Sequence, residues 1–292
     1  VPSLIQLLQS VVDGIANGAI LALIAVGLSV IFRLNKFVNV AHVDLATVGA
    51  YATLFLVSGF LPVFWLAALA GIAVVALIGY LSHRLVYRRL DGQRSITLII
   101  TSIGVAFMLR YLVTFIWGSN QRSFDLPLMR AVRFGDIRIS PYDLTIVGIA
   151  VAIFVGLFVI MRYTSLGRAL RAVADNPSLA RVSGLRTEHL LTIIWVAASA
   201  LAGIGGILLA VKTVITPYLG WAMLLPAFAA MIFGGVGSIG GTFVAAIIIG
   251  IVSEFAAMYW LPTYRLAAIF GVIVIVLLLR PQGLFGTKAV AK

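Results

Sequence analysis

Long charge-free apolar runs separated by short basic segments set the pattern of this chain. Gly14 to Phe32 carries no charged residue and is followed by Arg33 and Lys36. Leu45 to Ser82 is also charge-free, yet about twice too long for one crossing, because ~20 residues rising ~1.5 Å each span a ~30 Å hydrocarbon core. Gly59 and Pro62 supply the break, which gives spans near Val40 to Gly59 and Pro62 to Ser82. Ser95 to Trp117, interrupted by Arg110, comes next, then Leu144 to Met161, Leu190 to Val211 and Pro262 to Leu279. The pattern predicts an all-α polytopic integral membrane protein with about eight membrane segments.

The longest charge-free stretch, Thr213 to Ser253, holds Gly234, Gly235, Gly237, Gly240 and Gly241 within eight residues. Trp221 to Tyr259 is short for two crossings, so the expectation is two short helices that dip in and return through a glycine bend at Phe233 to Gly241. Irregular backbone at membrane depth survives only when packed in protein or lining a wet cavity. The bend is therefore assigned to the core of the protein or to its pathway, with Gly234, Gly235, Gly237 and Ser238 as candidate pathway residues. Gly14/Gly18, Ala202/Gly206 and Gly237/Gly241 have the spacing of close helix contacts.

Composition agrees with lipid as the solvent: 62% of the 292 residues are hydrophobic and 10% charged, against ~25% charged in soluble domains. The net charge of +12 does not point to nucleic acid, because the bases sit at the ends of apolar runs beside anionic headgroups. Loops on one side hold fourteen bases, at 33–36, 84–94, 162–186 and 280–292; the other side holds six. The positive-inside rule then places the first set in the cytoplasm, the amino terminus in the periplasm and the carboxyl terminus inside. The first residues lack a basic n-region, so no cleavable signal is expected. With no cysteine, thiol chemistry is excluded. One transmembrane domain, 1–292, is expected, with a cytoplasmic segment at 164–188 and a periplasmic loop at 118–141. In that loop Val132 and Phe134 alternate against Ile137 and Ile139 around Gly135-Asp136, the pattern of a hairpin.

Little in the chain resembles catalysis. Gly235-Val-Gly237-Ser-Ile-Gly240 fits a dinucleotide fingerprint literally, but it lies between apolar runs and follows no strand. A phosphate loop of the G-x-x-x-x-G-K-[ST] type is missing from the sequence, so ATP would have to be used by another polypeptide. The three histidines, His42, His83 and His189, are far apart, and no metal site is expected. Asp13, Asp44, Arg110 and Glu254 are the ionisable groups inside apolar runs, where exposure to lipid costs ~2.5–3.5 kcal/mol. Arg110 lies ~10 Å from the outer end of its helix and is expected to snorkel to headgroups in preference to lining a pathway. Asp44 either favours a helix amino terminus electrostatically or lines a pathway with Asn39 and His42. Asp13 and Glu254 are expected at the interface. Off-centre charges argue against the first rival reading, an ion-coupled secondary transporter. His42 and Asp44, two apart, point to different helix faces, which argues against the second, an intramembrane enzyme.

The most informative segment is Gly167-Arg-Ala-Leu-Arg-Ala-Val-Ala-Asp-Asn-Pro-Ser-Leu-Ala-Arg-Val-Ser-Gly184. Leu166, Leu170 and Val173 share one helical face and Arg168 and Arg171 lie off it. Asn176 can cap a second short helix with Pro177 at its first position and Gly184 past its end. At these residues the sequence resembles the permease subunits of ABC importers for branched-chain amino acids, of the LivH type, and the resemblance runs over essentially the whole chain. It is carried by Gly167, Arg168, Ala169, Arg171, Ala172, Ala180 and Gly184, the glycine bend, the tail Arg280-Pro-Gln-Gly-Leu-Phe-Gly286, and Asn39-Val-Ala-His-Val-Asp44 with Gly49-Ala-Tyr51. In that last motif Val40 and Val43 replace the family's Phe and Gly. The resemblance implies a heterodimer with a second, homologous permease, two cytoplasmic ATPase subunits that use ATP and Mg, and a periplasmic substrate-binding protein. This chain would bind no cofactor of its own. Gly167 to Gly184 would be the coupling helix, with Leu170 and Val173 as apolar knobs in an ATPase groove, Arg168 and Arg171 steering, and Asp175, Asn176 and Pro177 forming the turn.

Overall fold

In an apolar solvent the backbone has no water to bond, so each long apolar run closes its own hydrogen bonds as a helix. The computed structural model describes residues 4–127 and 129–286. Its elements are α1 (Leu4–Asn35), α2 (Ala41–Gly59), α3 (Phe64–Leu85), α4 (Ser95–Trp117), a hairpin of β1 (Val132–Phe134) and β2 (Ile137–Ile139), α5 (Pro141–Tyr163), α6 (Ser165–Asp175), α7 (Pro177–Val182), α8 (Thr187–Lys212), α9 (Leu224–Gly234), α10 (Ile239–Tyr259) and α11 (Arg265–Leu279). Eight helical segments among the described residues are long and apolar enough to cross a membrane. The hairpin has the expected register, Val132 opposite Ile139 and Phe134 opposite Ile137, turning at Gly135 with φ of 62°.

Helices α1, α2 and α8 form the centre, and α3, α4, α5, α10 and α11 surround them. Small residues bring the backbones together. A Cβ on Gly250 would lie 2.3 Å from the Gly14 carbonyl oxygen and 2.5 Å from the Gly18 Cα, so α1 and α10 touch backbone to backbone. Gly206 approaches Ala46 in the same way, joining α8 to α2. Close approach of this kind replaces the hydrophobic driving force that lipid cannot provide.

The glycine bend differs in part from its expectation. Helix α9 is short, 11 residues, but α10 has 21, about 32 Å at ~1.5 Å per residue, a full crossing. Only one arm is short because residues 213–220 enter without helix: a bridge at Ile215 to Arg122 gives way to a turn whose Gly220 N–H donates to Thr47 Oγ1 at 2.8 Å. The bend itself sits at the end of the bundle that carries Arg33 and the carboxyl-terminal tail. Leu284 N–H and Phe285 N–H donate to the carbonyls of Phe233 and Gly234, and a Cβ on Gly237 would meet Arg33. Gly235 (φ 97°) and Gly237 (φ 81°) need the left-handed region. Ser238 then caps α10 by accepting from Gly241 N–H.

These contacts separate two kinds of glycine. Gly250→Leu should overpack the α1–α10 seam by ~1–3 kcal/mol or more, seen as a lower melting temperature or loss of a monodisperse peak in detergent. Gly271→Ala, where nothing lies within 4 Å of the added Cβ, should stay within ~0.5 kcal/mol of the parent.

Candidate functional site

The run Asn39 to Asp44 turns each polar side chain to a different neighbour. Asn39 Oδ1 accepts from the Tyr87 hydroxyl at 3.1 Å, in a stack where Tyr87 lies on Trp195 and Phe37, with ring centroids 4.5 and 5.6 Å apart. His42 Nε2 lies 3.1 Å from the Ile24 carbonyl oxygen on α1, and its Nδ1 is buried without a partner. Asp44 points to α4. The expected divergence of His42 and Asp44 thus has a cause: two positions on, a helix has turned ~200°.

Arg110 corrects its expectation. Instead of snorkelling, its side chain is 4% exposed and forms a bidentate pair with the fully buried Asp44. Nε to Oδ1 and Nη2 to Oδ2 are both 3.0 Å. The guanidinium is sandwiched by aromatic rings, with Trp221 4.2 Å and Tyr218 and Phe107 each 5.5 Å from its carbon. The pair therefore ties α2, α4 and the turn that leads into α9. Asp44 stands in the first turn of α2, but both carboxylate oxygens are spent on Arg110, so its side chain is no hydrogen-bonding cap. Snorkelling failed as a reading because it assumed that Arg110 faces lipid, and an all-apolar helix carries no pattern that says which face turns inward. A signal was present: Asp44 and Arg110 are opposite charges inside apolar runs, and lipid forces such charges together.

Of the remaining interior charges, Asp13 accepts from Gln9, while Glu254 is bonded to Asn17 and Arg265. Lys212 and Asp143 pair at 2.6 Å, joining α8 to α5. The structure does not bring the bend residues Gly234, Gly235, Gly237 and Ser238 into the Asp44–Arg110 cluster; they meet the tail and Arg33.

At the same end of the bundle as the bend, α6 and α7 form the expected capped pair. Thr164 caps α6 by accepting from Gly167 N–H. Asn176 Oδ1 accepts from Leu179 N–H at 3.0 Å, Pro177 opens α7, and Gly184 follows with φ of 83°. Gly167 packs against the carbonyls of Ile160 and Met161, and Arg171 donates to the Met161 carbonyl, which locks α6 to the end of α5. Arg168 and Asp175 are exposed. The roles given to Leu170 and Val173 need correction. They are 3% and 2% exposed, because the apolar face of α6 lies on the chain's own bundle, and knobs turned inward cannot enter a partner's groove. The outward apolar side chains are on α7: Leu179 is 62% and Val182 87% exposed.

Residues 10–278 match the family described as the branched-chain amino acid transport system permease component, and the chain belongs to that family. Among its relatives, the high-affinity branched-chain amino acid transport system permease protein BraD of Pseudomonas aeruginosa is 29% identical over 305 residues, covering 100% of this chain and 99% of the relative. The permease protein LivH of Escherichia coli (strain K12), from a system of the same description, is 27% identical over 301 residues, 98% of this chain and 97% of the relative. A protein of Methanocaldococcus jannaschii named "Probable branched-chain amino acid transport permease protein LivH" is 30% identical over 293 residues, 91% of this chain and 89% of the relative. The chain is thus a multi-pass transport permease subunit and not itself an enzyme.

The buried pair yields a sharp expectation. Arg110→Met alone leaves a carboxylate buried without its partner and should cost ~3–5 kcal/mol, while Asp44→Leu with Arg110→Met should recover most of that loss. Thermal unfolding of the purified single and double variants measures both. Equal melting temperatures for the single variant and the parent would mean that the pair contributes nothing to the fold.

Proposed function

We propose that this chain is the membrane-spanning permease of an ATP-driven importer that passes branched-chain amino acids, or related small hydrophobic amino acids, inward. The family match over residues 10–278 carries this reading. The physical arrangement agrees with it. The sequence holds no phosphate loop, so energy must arrive from outside the chain, and a rigid pair of capped helices at one end of the bundle is suited to receive it. In this reading two ATPase subunits bind ATP and Mg in the cytoplasm, a periplasmic binding protein delivers the substrate, and a second, homologous permease completes a heterodimer in the inner membrane.

The distribution of bases, fourteen against six, orients the chain with the amino terminus in the periplasm and α6–α7 and the tail in the cytoplasm. The ATPase contact then falls on α7 and the exposed side of α6. Leu179 and Val182 supply apolar contact, and Arg168 and Arg181 supply charge. Leu170 and Val173 serve instead to seat α6 on the bundle, so that force applied to the pair reaches α1, α5 and α8.

The chain assembled with its partner subunits in proteoliposomes should accumulate radiolabelled leucine only when ATP is present on the α7 side; ATP-independent or absent uptake would refute the reading. Asp at both Leu179 and Val182 should leave the permease at parental yield yet release the ATPases on purification and cut uptake at least tenfold. Leu170→Asp, which buries a charge, should lower the yield of folded permease instead. If the α7 double variant retains both ATPases and uptake, α7 is not the coupling surface.

Orientation has its own check. Since the sequence contains no cysteine, single thiols can be placed at will. Ser178→Cys should react with an impermeant maleimide only from the cytoplasmic side, and Ser123→Cys only from the periplasmic side. The reverse pattern would invert the topology.

A further inference from the structure

In the half of the bundle nearer the β1–β2 hairpin, a cavity of about 190 Å³ opens between α1, α8, α9, α10 and α11. Most of its wall is aliphatic, and set into that wall are one acid and one base, Glu254 and Arg265, with the side chains of Asn17, Thr213 and Ser253. The two charges face each other. Glu254 Oε2 lies 3.2 Å from Arg265 Nη2, and Glu254 Oε1 accepts from Asn17 Nδ2 at 2.8 Å. Arg265 is only partly engaged: its Nε is buried and has no hydrogen-bond partner, while 44% of its side chain remains exposed. A guanidinium presents its donors in a planar fork that fits a carboxylate through two bonds at once.

We propose that this cavity is a binding station for a zwitterionic amino acid in passage, with Arg265 taking the α-carboxylate and Glu254 taking the ammonium group. The inference rests on the amino-acid importer reading above and gives that reading a location inside the permease. Three features select the ligand class. One acid and one base make a site of zero net charge, which suits a zwitterion better than a cation or an anion. The aliphatic side chain has a dry wall in Leu21, Ile249 and Ile269. The volume is below the ~300–1,000 Å³ of sites for drug-sized ligands, so bulky compounds do not fit. Glu254 and Arg265 hold each other until the ligand arrives. The ligand then substitutes its own charges for theirs, so neither ion of the site is left unpaired before or after. Release follows when the two side chains close on each other again.

A cysteine at Ser253 would be the only thiol in the chain. In proteoliposomes holding the full complex with its binding protein, saturating leucine should slow alkylation of Ser253→Cys about tenfold, and lysine should not. Thr213→Cys, which lines the same cavity from the end of α8, repeats the measurement and serves if Ser253→Cys fails to assemble. Arg265→Gln and Glu254→Gln should each lower ATP-driven leucine uptake about tenfold, the loss of one charge-assisted bond, and Arg265→Lys should recover part of it. A complex that takes up leucine while both thiols react at the same rate with and without leucine would refute the site and leave the importer reading standing. A complex that takes up no amino acid would remove the importer reading, and the site with it.

Discussion

The structure depends on the backbone contact between α1 and α10. Lipid tails do not expel apolar side chains, so helices in a membrane gain by approaching closely enough for dense van der Waals contact. Gly14 and Gly18 on α1 and Gly250 on α10 remove the side chains that would hold those helices apart. With this seam fixed, α1 is buried over 83% of its most apolar stretch, and α8, α5 and α9 pack on what remains of its surface. Helices α5 and α11, each 11% buried by the same measure, form the outer surface offered to lipid or to other subunits.

Several polar groups inside the bundle are paired with a group on another helix. Asp44 with Arg110, Lys212 with Asp143 and the Ser29–Thr242 hydroxyl pair at 3.1 Å all join elements far apart in sequence. Ion pairs of this kind add little net stability over an apolar substitute, but they penalise every packing that separates the partners. They therefore act on which helix lies beside which. The transport reading needs such definition, because a subunit that receives force at α6–α7 must carry it through the bundle as relative movement of rigid parts.

Much of this was legible in the sequence wherever charge or turn chemistry marks a boundary. Ser95 to Trp117 emerges with its expected limits because Arg94 and Gly118 flank it. Asn176-Pro177 and Gly184 announced α7, and Gly135-Asp136 announced the hairpin. Orientation was not legible. Helix α4 has no amphipathic stripe, so only the opposite charge of Asp44, and nothing along α4 itself, pointed Arg110 towards α2. For α6 the apolar face was plain, but not whether the chain's own bundle or a partner would cover it. The short α9 was foreseen and the long α10 was not, because the non-helical descent at 213–220 depends on Thr47 and on Gly220, whose Cβ would clash with the Val43 carbonyl, a tertiary fit that no local pattern encodes.

The spacing of the buried ion pair also orders events during synthesis. Asp44 precedes Arg110 by 66 residues, which at ~5–20 residues per second is ~3–13 s of translation. For that time α2 holds a carboxylate whose partner has not yet been made. Among the described residues it is also the least apolar of the eight segments long enough to cross a membrane, with a mean hydropathy of 1.3 against 2.0 or more for the others. Helix α2 therefore cannot settle into its final place as it leaves the ribosome. The contact between α2, at the centre, and α4, on the rim, can close only once Arg110 has been made.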